Sequence, residues 1–200
     1  MRRLVLKMSM SLDGYVAGPN GEMDWMLRTA HPDGKAWVEQ TLWQAGALLA
    51  GRNLYSSWVG YWPTSTDPIA APMNAIPKIA FSRSGSLDLA PTVPTPPGWE
   101  DTRVLGTDLA ADIAALKAEP GKDLIAQGGA SFGRSLVQLG LVDEYRLVVH
   151  PVVLGSGLPL FQDAKPFDPA PPTPRSSPWD PGTRLPTEMT RGRRSAVPVP

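Results

Sequence analysis

Apolar residues recur along this chain in two alternating rhythms. Short, nearly unbroken runs are followed by stretches in which apolar residues fall three, four and seven positions apart. Leu4-Val5-Leu6-Lys7-Met8-Ser9-Met10 has the content of a strand and is broken by the turn residues Asp13-Gly14. Between Asp33 and Ala45, residues Val38, Leu42 and Ala45 stand at helical spacing, with Asp33 as the expected N-cap and Gly46 as the stop. The wholly apolar Ala47-Leu48-Leu49-Ala50 reads as a buried parallel strand, and Gly51-Arg52-Asn53 then opens a helix toward Trp58. Further strands are predicted at Lys78–Phe81 and Arg103–Leu105, on either side of a loop holding Pro91, Pro94, Pro96 and Pro97. Leu109, Ile113 and Leu116 mark a helix from Asp108 to Glu119 that Pro120-Gly121 ends. Asp123–Ala126 is a strand. After Gly128-Gly129 comes a helix with Phe132, Leu136 and Leu139, stopped by Gly140, and Tyr145–Val149 is a further strand. Strands alternating with helices across short connections predict a mainly parallel, mixed sheet covered on both faces, a three-layer α/β/α architecture.

This pattern fades near Asp163. Residues 164–200 hold 10 of the 23 prolines and little apolar periodicity, so the chain divides into a domain over 1–163 and an atypical, Pro-rich tail over 164–200. Proline at that density removes backbone donors and favours extended, unpacked chain. No strand is expected in the tail.

Composition narrows the function classes. The chain has 200 residues, 42% of them hydrophobic, which suits one globular domain. Its 19 basic and 19 acidic residues balance, so no global field would recruit nucleic acid or an anionic membrane. Cysteine is absent, which removes disulfides, thiolate catalysis and Cys-ligated zinc. With no leader after Met1 and no apolar run of roughly 20 residues, a cytoplasmic protein is expected.

Candidate chemistry lies at three strand ends. Gly128-Gly129-Ala130-Ser131 sits between a strand and a helix, where two residues without side chains would let a pyrophosphate reach backbone amides at a helix N-terminus. A tight turn is the plainer alternative. Gly51-Arg52-Asn53 repeats that arrangement and adds a guanidinium shaped for a phosphate fork. Ser82-Arg83-Ser84 follows a third strand, at the edge where open parallel sheets bind ligands. Three such clusters suit a dinucleotide. The usual dinucleotide fingerprint is missing, since Gly155-Ser156-Gly157-Leu158-Pro159-Leu160 keeps only the first two glycines and reads as a loop. His31 and His150 stand far apart with no third ligand nearby, so no metal site is expected. Trp25, Trp37, Trp43, Trp58 and Trp62 are expected in the core. Asp13 and Asp33 read either as turn and cap residues or as acids.

The order of motifs resembles the dihydrofolate-reductase-like reductases. It is carried by Lys7-Met8-Ser9-Met10-Ser11-Leu12-Asp13-Gly14-Tyr15, Gly21-Glu22-Met23-Asp24-Trp25, Leu49-Ala50-Gly51-Arg52-Asn53-Leu54-Tyr55 and Gln127-Gly128-Gly129. Leu141-Val142-Asp143-Glu144-Tyr145 and Pro151 to Gly157 complete the set. The likeness is greatest to the C-terminal reductase domain of the riboflavin-pathway deaminase-reductases and its stand-alone relatives. What it implies is the dihydrofolate-reductase-like fold and an NADPH-dependent oxidoreductase, with a small pteridine- or pyrimidine-like substrate reduced at a C=N or C=O bond; a homodimer is compatible with it. Carried over residue by residue, Gly51, Arg52, Asn53 and Leu54 match the first phosphate turn, Ser82 and Arg83 the adenosine-phosphate segment, and Gly128, Gly129, Ala130, Ser131 and Phe132 the pyrophosphate turn. Ser9, Met10 and Trp25 would border the nicotinamide. Asp13 would be catalytic, and Asp24, Trp25, Asp33 and Gln127 would meet the substrate.

Two features depart from that pattern. The riboflavin-pathway domains usually carry a glutamate just before the glycine pair, where this chain has Gln127, and the companion zinc deaminase has no cysteines here to build it. A non-catalytic NADP-binding protein of the same fold and a true dihydrofolate reductase are the alternatives.

Overall fold

The computed structural model describes residues 1–87, 96, 98–164, 166, 169–170 and 186–191. β1 (Leu4–Ser11) runs through the middle of the sheet, and a short β2 (Tyr15–Ala17), a one-turn α1 (Trp25–Arg28) and α2 (Pro32–Trp43) follow it. β3 (Ala47–Gly51) leads directly into α3 (Arg52–Tyr61); then come α4 (Ala70–Ala75), β4 (Lys78–Phe81), β5 (Arg103–Leu105) and α5 (Leu109–Ala118). β6 (Leu124–Gln127), α6 (Ala130–Gln138), β7 (Glu144–His150), β8 (Leu158–Pro159), β9 (Pro169–Ala170) and β10 (Pro186–Arg191) complete the described elements. The eight-stranded sheet has the order β5-β4-β3-β6-β1-β7-β10-β9, parallel from β5 to β7 and antiparallel beyond.

Apolar runs become central strands because both faces of the sheet are covered. On one face Leu4, Leu6 and Met8 of β1 pack with Ile113 and Leu116 of α5 and Phe132 and Leu136 of α6. On the other, Val5, Leu48 and Ile125 meet Leu42 of α2, Tyr55 and Trp58 of α3 and Met73 of α4. Each fully buried leucine or isoleucine contributes about 1.5–3 kcal/mol, so the sheet's two-sided burial is what holds the α/β/α layers together.

Four expectations change. The N-cap of α2 is His31, whose ring Nδ1 accepts from the Asp33 amide at 3.3 Å; Pro32 takes the first helical position, where its missing N–H costs nothing. The 164–200 segment does supply strands, since β10 pairs antiparallel with β7 from Pro186↔Val148 to Thr190↔Glu144 and with the two-residue β9 on its other side. Proline density is an average over the segment, and residues 186–191 carry their one proline at the strand's first position, where the ladder tolerates it. Much of the rest of 164–200, and the order expected of it, lies outside the described residues. Of the tryptophans, Trp25 and Trp58 are buried as expected and Trp37 and Trp62 are half-buried, but Trp43 is 44% exposed at the end of α2.

Gly155–Leu160 is a loop only up to Gly157, after which β8 pairs with β2. A Cβ on Gly157 would stand 2.2 Å from the Ala17 carbonyl oxygen, so only glycine lets these segments meet. Among the described residues no helix is long and apolar enough to cross a membrane.

Candidate active site at the carboxyl edge of the sheet

Parallel strands deliver all their carboxyl ends to one edge, and there the turns after β3 and β6 lie against each other. Gly51 is so close to Phe132 that an added Cβ would stand 3.0 Å from the Phe132 Cβ, and one on Gly128 would stand 3.3 Å from Leu54 Cδ2. Gly128 and Gly129 have φ of +72° and +77°, which side-chain-bearing residues rarely adopt. Gly51 and Gly129 are the N-caps of α3 and α6 and offer no side chain to the first-turn amides, so these donors stay available to an anion. Arg52 and Asn53 occupy the first turn of α3; Ala130, Ser131 and Phe132 occupy that of α6. The Phe132 ring stacks on Phe81 at 4.9 Å, which ties the turn after β4 to the other two. In that turn Ser82 is buried and its Oγ lies 2.9 Å from Ser84 Oγ, while Arg83 is exposed.

Beside this edge, on the sheet face covered by α2, α3 and α4, lies a polar group that the sequence pattern did not single out. Side chains alternate along strands, so Lys7 follows Val5 onto that face. The parallel registers Lys7↔Gln127 and Lys7↔Arg146 set Gln127 and Arg146 beside it, and Ser11↔His150 sets His150 at the end of the row. Lys7 and His150 are each only 8% exposed. Toward the amino ends of the strands every charge is matched: Arg146 Nε donates to Glu144 at 2.6 Å and its Nη1 to Gln44 at 2.8 Å, and Arg3 reaches Glu144 at 2.7 Å. Toward the carboxyl ends matching stops. Lys7 makes no hydrogen bond or ion pair among the described residues, and Gln127 Oε1 and His150 Nε2 are buried without partners. Burial pushes the Lys7 ammonium down to about 8. Burial, helped by the Lys7 charge, also lowers His150. Trp25, buried in α1, lies edge-on to His150 at 5.3 Å.

The other candidates are distributed differently. Asp13 accepts from Ser11 Oγ at 2.6 Å and from the amides of Leu154 at 3.2 Å and Gly155 at 2.7 Å, so it ties the β1–β2 loop to the loop after β7. The Ser11 hydroxyl, with those amides, holds its carboxyl below the usual carboxylate range. A carboxylate so engaged accepts hydrogen bonds and is a poor proton source, so we expect Asp13 to position the loops. Asp13→Asn should then lower kcat several-fold while NADPH affinity, measured by calorimetry, stays unchanged; equal turnover would leave Asp13 a loop residue only. Asp24, with its side chain 69% exposed, pairs with Arg28 at 3.1 Å, and Asp33, 63% exposed, lies 3.6 Å from His31. Ser9 and Met10 point to opposite faces, Ser9 toward the Lys7 side and Met10 toward the cluster under α6. The structure thus brings Gln127 and Trp25 to the polar face and leaves Asp24 and Asp33 outside it. A surface concavity of about 480 Å³, lined by Ala30, His31, Pro32, Lys35, Ala36, Glu39 and Pro68, shares no residue with the strand-end turns. No group of three His, Asp or Glu side chains suited to a metal occurs among the described residues.

Comparison with known proteins gives one family match, to the RibD C-terminal domain, over residues 2–169. The uncharacterized protein YyaP of Bacillus subtilis is 34% identical over 170 residues, which are 82% of each chain. A pyrimidine reductase-like protein from Corynebacterium diphtheriae superposes with a TM-score of 0.63 at 17% identity, covering 96% of this chain and 93% of that one. The diaminohydroxyphosphoribosylaminopyrimidine deaminase/5-amino-6-(5-phosphoribosylamino)uracil reductase of Thermotoga maritima gives 0.60 at 14% identity, over 96% of this chain and 57% of that longer one. Dihydrofolate reductase from Enterococcus faecalis, complexed with NADP(H), gives 0.50 at 12% identity, over 79% and 76%. At these identities the solved structures speak for the dihydrofolate-reductase-like fold.

Proposed function

This chain belongs to the RibD C-terminal domain family, and from that membership we propose that it is a reductase that binds NADPH along the carboxyl edge of the sheet and reduces a C=N or C=O bond of a small pyrimidine- or pteridine-like molecule. The observation that carries this reading is the contact between two uncapped, glycine-led helix N-termini, Gly51–Arg52 and Gly128–Gly129, whose close approach a Cβ would fill. Such a cradle suits a pyrophosphate. The amides of Ala130, Ser131 and Phe132 would hold it, with Arg52 as the charged partner and Ser82 and Arg83 near the adenosine end. When bound, the dihydronicotinamide supplies the hydride. Reduction of the double bond also needs one proton on nitrogen or oxygen. Lys7, held near 8 by burial and facing the same space as Gln127, can release a proton near neutral pH. The chain otherwise orients the two reactants and keeps water out.

A folate-reducing activity would call for an acid on α2, and Asp33 instead faces solvent beside His31. The deciding experiment is NADPH oxidation across a panel of aminopyrimidines, dihydropteridines and quinoid compounds. Oxidation of one of these supports the proposal, whereas tight NADPH binding with no turnover favours a non-catalytic nucleotide-binding role. Arg52→Ala should weaken NADPH by about 1.5–3 kcal/mol, the worth of a charge-assisted contact, and unchanged affinity by calorimetry would move the phosphate elsewhere.

A further inference from the structure

We propose that His150 is a substrate-binding residue: its unprotonated Nε2, buried without a partner at the carboxyl end of β7 on the sheet face that also carries Lys7 and Gln127, accepts a hydrogen bond from an N–H of the heterocycle to be reduced. The assignment rests on the reductase reading above. It begins from polar accounting. Buried polar atoms in folded proteins nearly always find partners, and three side-chain atoms among the described residues do not: Gln127 Oε1, His150 Nε2 and Arg134 Nε. Two of the three lie on one sheet face, at the strand ends where ligands of such sheets bind.

The state of the ring follows from its one bonded nitrogen. His150 Nδ1 is 2.6 Å from Thr29 Oγ1, which is also 3.2 Å from the Trp25 carbonyl and 3.4 Å from that of Met26. Carbonyls only accept, and helical threonines commonly give their one hydroxyl proton to a carbonyl of the preceding turn. In the proposed state Nδ1 carries the ring proton and donates it to Oγ1, and Nε2 is left as a bare acceptor. The surrounding charges agree. Burial disfavours protonation of the ring, and the charge of Lys7, on the same sheet face in β1, adds to this. On β7 itself, Arg146 and Glu144 are farther back and bonded to each other. Trp25 of α1 and Thr29 just after it bring no charge, and Asp13 is turned to the 154–155 amides.

His150 Nε2 therefore offers one neutral acceptor at the carboxyl end of β7, for which a ring N–H is the complement. The edge of Trp25, near-perpendicular to the imidazole, fixes the ring that does the recognising.

Long-range 1H–15N spectra of histidine-labelled protein, titrated with 5,6-diaminouracil in the presence of NADPH, test the assignment directly. With two histidines in the chain, His31→Gln identifies the His150 signals. At pH 7 they should show the Nδ1–H tautomer, and the Nε2 resonance should move as 5,6-diaminouracil binds. The His150→Phe variant should weaken 5,6-diaminouracil about tenfold and leave NADPH affinity as it is. Lys7→Met should raise the His150 titration midpoint, because a positive charge on the same sheet face has gone. A protonated ring or the Nε2–H tautomer at pH 7 overturns the proposal. So does failure of 5,6-diaminouracil to bind, or binding that leaves the His150 resonances unmoved. Failure of NADPH to bind would count against the reductase reading alone, since the wild-type tautomer and its response to 5,6-diaminouracil are still read on the same sample.

Discussion

Lys7→Met is expected to lower turnover by about 10²–10⁴-fold, the usual worth of a positioned acid, while raising the stability of the protein at pH 7. The stability arm follows from linkage. Lys7 has an ordinary value of 10.5 and is pushed to about 8 by burial. The unfolded chain therefore binds more protons than the native one between those values, so stability rises with pH across that window. Below about pH 8 the native state carries the full penalty of a buried ammonium, about 3 kcal/mol at about 1.4 kcal/mol per pH unit. Methionine matches the length and volume of the lysine stem and carries no charge, so it removes the penalty with little repacking. Thermal unfolding followed from pH 6 to 11 should show the variant ahead below about 8 and the gap closing by about 10.5. A variant that unfolds earlier than wild type at pH 7, or that keeps its turnover, would show that Lys7 is a structural cation and that the proton comes from elsewhere.

Gly129→Val should cost NADPH at least about a hundredfold in affinity with the fold intact. Gly129 has φ of +77°, and the space around a Cβ there is adequate, the nearest atoms being Leu54 and Phe132 carbons at 3.6–3.7 Å. The cost is therefore in the backbone, because a β-branched residue avoids positive φ. Relief requires turning the peptides that begin α6, which swings the Ala130 and Ser131 amides away from a bound phosphate. Two charge-assisted hydrogen bonds of about 1.5–3 kcal/mol each would go. Gly51→Ala is the informative companion, since φ of −69° suits alanine but its Cβ would press on Phe132 at 3.0 Å. It should lower stability more than it distorts the α6 turn. Calorimetry with NADPH, beside far-UV circular dichroism, separates the two, and wild-type affinity in Gly129→Val would remove the β6–α6 turn from the cofactor site.

These outcomes bear on how far the sequence alone could reach. Short apolar runs, helical periodicity and glycine stops are local signals, and they determined the parallel strands β1, β3, β4, β5, β6 and β7, the helices α2, α3, α5 and α6 and the glycine turns after β3 and β6, while the short β2, α1 and α4 left no such signal. Strand β10 escaped because its partner, β7, is distant in sequence and because proline was judged over a whole segment, though only Pro186 stands in the strand. The two-residue β8 is too short to show alternation.

The site divides along the same line. The turns proposed for phosphate are visible in sequence because they need particular backbone conformations, and glycine announces those. Lys7 and His150 announced nothing: one sits inside an apolar run and the other is a lone histidine 143 positions later. Only the parallel register of β1 with β6 and β7 brings them to one face with Gln127, and only the layers above that face bury them. Asp13, by contrast, was legible as a conspicuous acid, yet its hydrogen bonds to Ser11 and to the distant Leu154 and Gly155 amides decide what it can do. Local propensity writes itself into neighbouring residues, whereas burial, desolvation and polar matching are properties of packed faces, so the sequence by itself determined the frame and the glycine turns, and tertiary structure decided which polar side chains are buried together on one face of the sheet.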